Sequence, residues 1–116
     1  MPAPDPLAAR LTVRLDASAL WHHRPAYAEL VHRAHREGLA GASVFHGVTG
    51  FGAGDPGTRR PGRVPHLGTH GPCVVVIVDE ERRLRAFLPC VADVLTGTAA
   101  VATLDRVRIH VPDSRG

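Results

Sequence analysis

Between Gly50 and Pro72 the chain reads GFGAGDPGTRRPGRVPHLGTHGP. Seven of these 23 residues are Gly and four are Pro, too many breakers for the interior of a helix or a strand. A compact domain carries a loop beyond ~15 residues only where the loop works or does not fold. The stretch therefore splits the chain, and the two halves beside it decide the fold.

The first half opens with LTVRLD (Leu11–Asp16). Leu11, Val13 and Leu15 take one face and Thr12, Arg14 and Asp16 the other, which is the signature of a half-buried strand. ASALWHHR is a connector, and Pro25 suits the first turn of a helix. Tyr27, Leu30, Val31 and Ala34 recur at helical spacing, with Glu29 and Arg33 as an i,i+4 pair. Gly38 ends that helix, and a second strand covers Ala42–Val48. The second half repeats the order. CVVVIVD (Cys73–Asp79) is a β-branched strand without alternation. A helix follows with the stripe Leu84, Phe87, Leu88, Val91 and Leu95, closed by Gly97 and kinked or started late by Pro89. The last strand spans about Val101–Val111.

Strand–helix–strand twice over predicts an α+β fold, a ferredoxin-like βαββαβ sandwich with one antiparallel sheet and two helices on one face. A sheet with one wet face should alternate, yet Cys73–Val78 is apolar on both sides, and Phe45 opposes Ala42, Val44 and Val48. A homo-oligomer is expected to cover the second face. The domain expectation is a flexible tail over 1–9, one domain over 10–112 with the loop 50–72, and a C-terminal tail over 113–116.

Composition sets wider bounds. The 116 residues make one domain, 44% hydrophobic and 22% charged, with few aromatics, so the core is aliphatic. No window approaches the ~20 apolar residues of a membrane span. MPAPDPLAAR lacks the regions of a secretion signal, so a cytoplasmic protein, not inserted in a membrane, is expected. The net charge of +3 comes from a chain whose fourteen basic residues are all Arg. That is too small a charge to imply nucleic acid, and the chain lacks a recognition helix or exposed stacking aromatics. Cys73 and Cys90 sit in apolar runs, where reduced, buried thiols are expected.

GLAGASVFHGVTGFG (Gly38–Gly52) resembles the PII signalling proteins, whose second strand runs into Gly-Phe-Gly before a long loop. It is closer to the PII-like family catalogued as domain of unknown function 190. The shared pattern continues through a basic loop (Thr58–His70), an apolar strand with VDxE after it (Val74–Glu80) and an FLPxVxxxL helix (Phe87–Leu95). The resemblance covers about Leu11–Val111. It implies a homotrimer with sheets around a central axis. It makes the 50–72 loop the counterpart of the mobile PII T-loop, which binds a protein target, often a transporter or metabolic enzyme. It implies no cofactor, but a small anionic effector, with an adenine nucleotide the candidate, in clefts between subunits.

The departures matter as well. PII proteins carry Arg-Gln-Lys after Gly-Phe-Gly, whereas Ala53, Gly54 and Asp55 stand here. The Gly- and Lys-rich phosphate loop before the last strand is absent, and the loop has no Tyr to modify.

The candidate ligand-binding residues follow. Gly50, Phe51 and Gly52 form the loop base. Arg59, Arg60 and Arg63 meet ligand or target, because successive glycine N–H groups and guanidinium forks suit anions. Arg106 and Arg108 line the cleft, and His46 faces it. Arg14, Arg106, Arg108 and His110 are expected to share the face away from the helices, with Asp16 as ion-pair partner. No spacing of the eight histidines fixes a metal site, and no constellation of nucleophile and base marks an enzyme. Two alternatives stand: a metal-binding ferredoxin-like trimer resembling the copper-tolerance proteins, and a small ferredoxin-like enzyme.

Overall fold

Alternation along the first strand translates directly into burial. The computed structural model describes residues 7–48, 71–110 and 112. In β1 (Ala8–Asp16), Ala9, Leu11, Val13 and Leu15 are at most 4% exposed. The strand starts inside the expected 1–9 tail, at Ala8, because Ala9 already belongs to the core. The expected tail over 113–116 lies outside the described residues.

The connector after β1 is not plain coil. β2 (Leu20–Trp21) and β3 (Arg24–Pro25) form a small hairpin. Its turn residues His22 and His23 both have positive φ, 49° and 70°, the backbone of a two-residue hairpin matched to strand twist. Trp21 packs against the end of the second helix. A Cβ built at Gly97 would lie 3.0 Å from its Cζ3.

α1 (Ala26–Arg36) buries Ala26, Leu30 and Ala34. It stops as expected at Gly38, whose φ is +74°. Leu39 N–H donates to the Ala34 carbonyl and Gly38 N–H to that of His35, both at 3.1 Å, satisfying two of the last carbonyls. The second strand is shorter than expected, β4 (Ser43–His46). β5 (Pro72–Glu80) is longer, taking Pro72 from the expected loop. α2 (Glu81–Gly97) buries Leu84, Phe87, Val91 and Val94. Pro89 lies inside it without ending it, on an exposed position where water can satisfy the carbonyl that the proline leaves unpaired. β6 (Val101–Val107) ends four residues before the expected limit.

The sheet order is β4-β5-β1-β6 with every neighbour antiparallel. Both helices cover one face, as the ferredoxin-like reading requires. The core lies between them and the inward row Leu11, Val13, Val75 and Ile77. Burying each such side chain contributes ~1.5–3 kcal/mol. Asp79, at the inward end of β5, locks the layers. Its carboxylate accepts from Ala40 N–H at 2.8 Å and from Arg83 Nη1 at 3.1 and 3.2 Å, while Arg83 Nη2 donates to the Gly38 carbonyl at 2.5 Å. Arg33 joins the helices, donating to Glu29 and Asp93 at 2.7 Å each and holding both carboxyls below their usual range.

The other face has no cover among the described residues. Phe45, Val74, Arg14 and Val101 form one cross-strand row on it, and Ser43, Val76, Thr12 and Thr103 the next. Phe45 and Val101 are more than half exposed.

α2 ends differently from the sequence expectation. Gly97 is its last helical residue, and the left-handed position falls on Ala99, φ 53°. An L-residue there costs roughly 1–2 kcal/mol, which glycine relieves at some cost in chain entropy. Ala99→Gly should therefore raise stability by up to about 1 kcal/mol in urea denaturation. A loss of stability would show that the strain is not real.

Candidate functional site

The segment 49–70 leaves and rejoins the sheet at one point. β4 and β5 pair through His46 and Cys73, and beyond them Gly47 N–H donates to the Pro72 carbonyl at 2.8 Å. A Cβ at Gly47 would lie 2.6 Å from Pro72 Cγ, so a larger residue would force the Pro72 ring or the backbone to shift. Gly71 adopts φ 104°, which also favours glycine.

Asp16 ties this closure to β1. One carboxylate oxygen accepts the Gly71 N–H at 2.9 Å. The other accepts the Ser18 N–H at 2.9 Å and the Ser18 hydroxyl. Ala17 N–H donates to the Gly71 carbonyl at 3.0 Å. The side chain is thus a buried knot between the turn after β1 and the strand after the loop, an Asp-x-Ser turn extended to a distant residue. The expected ion pair with Arg106 does not form, because Arg106 lies at the other end of the sheet and donates to Glu81. Beneath it lies Cys73, fully buried. Burial, and then the Asp16 charge, push its thiol up to about 11, so it stays protonated and unreactive at neutral pH. Cys90, expected to be buried, is exposed on α2.

His46 is at this end of the sheet, as expected, but on the helix side. Its ring meets Tyr27 of α1 edge to face, with centroids 5.1 Å apart. Gly50, Phe51, Gly52, Arg59, Arg60 and Arg63 lie outside the described residues.

Arg106 is elsewhere. It pairs in register with Ala9, whereas the loop base is level with Leu15. Six residues of strand separate the two levels, about 20 Å. Arg106 also faces the helices and not the side of Arg14. Its Nε donates to Glu81 Oε2 at 2.9 Å, while Arg85 Nε donates to Oε1 at 3.1 Å. These two bonds, Arg106's first, hold the Glu81 carboxyl below its usual range. Arg108 and His110 follow β6 as exposed residues. The expected basic patch on the open face is therefore not assembled. In its place that face carries an ion pair between Arg10 and Asp105 at 2.9 Å. Sequence reading missed Asp16's turn, signalled by Asp-x-Ser, and Glu81, signalled by its i,i+4 spacing to Arg85.

Among the described residues no group of three or more His, Cys, Asp or Glu side chains could hold a metal ion, and no helix is long and apolar enough to cross a membrane.

A family model, DUF190, described as an uncharacterized ACR, matches residues 8–109. A UPF0166 protein of Aquifex aeolicus (strain VF5) is 37% identical over 67 residues, which cover 56% of this chain and 60% of that protein. Two solved structures share the fold. One is CPII, a nitrogen regulatory PII-like protein from Thiomonas intermedia K12 bound to ADP, AMP and bicarbonate, with a TM-score of 0.63 at 12% identity, covering 94% of this chain and 98% of that one. The other is a PII-like signaling protein from Thermus thermophilus, with a TM-score of 0.57 at 16% identity, covering 88% and 87%.

Removal of the Asp16 carboxylate leaves the Gly71 and Ser18 donors without their acceptor in a buried place, at ~1–3 kcal/mol per group. Asp16→Ala should lower stability by several kcal/mol in chemical denaturation. It should also make the chain far easier to cleave in limited proteolysis between residues 47 and 72. A variant as stable and as resistant as the parent would remove Asp16 from this role.

Proposed function

The chain belongs to the DUF190 family, and from that membership and the geometry of the loop-bearing end we propose that it is a PII-like signal-transduction protein. The observation that carries this reading is the closure at Gly47, Gly71 and Asp16. It ties both ends of a 22-residue segment, 49–70, to the rigid centre of the sheet. An event in that segment is thereby coupled to β1 and β5, the two strands that hold the core.

In this reading three copies pack their open sheet faces together, burying Phe45 and the outward valines of β5. The clefts between copies receive a small anionic ligand. The PII-like protein of similar fold bound to ADP, AMP and bicarbonate makes adenine nucleotides and bicarbonate the first ligands to try. Gly50, Phe51 and Gly52 form the loop base, and Arg59, Arg60 and Arg63 contact ligand or target. Within one chain the end of β6 is too far from the loop base to share its ligand, so Arg108 serves the cleft of a neighbouring copy. The segment 49–70 then presents itself to a protein target, a transporter or a metabolic enzyme, in the cytoplasm. The chain acts as a regulator and not as a catalyst.

Calorimetric titration with ATP, ADP, AMP, cyclic AMP and bicarbonate tests this. At least one should bind saturably, near one site per chain. Replacing Arg59, Arg60 and Arg63 together by Ala should weaken that binding while changing stability by no more than ~0.5 kcal/mol, the usual range for exposed positions. Absence of binding by all five would remove the ligand-sensing reading. A large stability loss in the triple variant would remove the dispensable effector loop.

A further inference from the structure

A cavity of about 550 Å³ opens at the end of the sheet opposite the loop, lined by Leu7, Glu80, Glu81, Arg82, Arg85 and Arg106. Its volume falls within the ~300–1,000 Å³ of small-molecule sites. We propose that it binds the phosphate group of a small phosphomonoester, at a site separate from the clefts of the preceding reading.

The argument rests on how Glu81 is used. Its two carboxylate oxygens each accept one bond, from Arg85 Nε and from Arg106 Nε. A guanidinium has five N–H donors, and each of these two spends only its Nε on Glu81. Among the described residues no other acceptor bonds the terminal nitrogens of either. One buried carboxylate therefore holds two guanidinium groups side by side and leaves their outer edges available at the cavity. Arg82 adds a third. Its side chain is 88% exposed, and its contact to Glu80 is long, 3.4 Å. Three guanidiniums against two carboxylates leave the lining one unit positive.

The geometry also selects the anion. Arg85 and Arg106 approach Glu81 through different oxygens from different elements, one from α2 and one from β6. A planar carboxylate ligand satisfies one fork well. A phosphate presents acceptors in several planes and can meet both, with Arg82 on a third oxygen. Leu7, 62% exposed at the rim, offers apolar surface to the organic part of the ester.

Titration of the full chain with phenyl phosphate, inorganic phosphate and benzoate, at ionic strength matched with chloride, tests the site. Phenyl phosphate should bind saturably at one per chain, inorganic phosphate more weakly, and benzoate weakest. Arg85→Met and Arg106→Met should each weaken phenyl phosphate about ten-fold or more, the scale of one lost charge-assisted hydrogen bond. Arg82→Met, which among the described residues gives up only the long contact to Glu80, should weaken it several-fold with the circular dichroism of the parent. The Arg59, Arg60 and Arg63 triple variant should bind phenyl phosphate unchanged, which separates this site from the loop. Lack of saturation, undiminished binding in all three Met variants, or loss of binding in the loop variant would overturn the proposal.

Discussion

The pairing of β1 with β5 is the constraint on which the rest depends. Nine residues of each strand are in register, from Ala8 opposite Glu80 to Asp16 opposite Pro72. Strand side chains alternate between faces, so this register fixes every inward and outward position at the centre of the sheet. It turns Leu11, Val13, Val75 and Ile77 toward the helices. It turns Thr12, Arg14, Val74 and Val76 away from them. It also brings Asp16 to Gly71, and so determines where the 49–70 segment rejoins the sheet. A slip of one residue would bury Arg14 under α1 and α2 and separate the Asp16 carboxylate from the amide it accepts.

The same register produces the feature that calls for a partner. An antiparallel sheet can leave one face in water when that face is polar. Here the outward side of β5 carries Val74, Val76 and Val78 in succession between Pro72 and Glu80, flanked by Phe45 and Val101. These residues gain little in solvent and much from contact with another apolar surface. The Arg10–Asp105 pair on the same face is half exposed. An exposed pair contributes at most about 1 kcal/mol, so it adds little to the stability of the chain.

Most of the architecture was legible because its strands and helices are long enough to show their periods. Leu11–Asp16 alternates and the α1 stripe repeats at helical spacing. The gaps have physical causes. Ala8 and Ala9 carry no hydrophobic signal, although Ala9 is buried where the helix layer comes close. The β2–β3 hairpin turns on His22 and His23 in place of the Asn-Gly or Gly-rich pairs that announce such turns. Arg106 lies on the face opposite to the expected one because β6 is a lateral strand, where the helices cover the inward side thinly. Ala102, Leu104 and Arg106 point inward there, and Val101, Thr103, Asp105 and Val107 outward, which reverses the expected sense of apolarity. Arg106 tolerates the inward position because Glu81 meets it. At the candidate site, the expected loop glycines and arginines lie outside the described residues. The anchor itself, Asp16, was not marked, since that role depends on a residue 55 positions away.

In the proposed reading, other copies of the chain complete the apolar open face. Light scattering coupled to size exclusion, on the parent and on Val74→Glu, tests this most directly. The parent should elute with the mass of three chains across a dilution series, and Val74→Glu should elute as a folded monomer. A parent chain that is monomeric at all concentrations would contradict the account, and so would a variant that keeps the trimer mass.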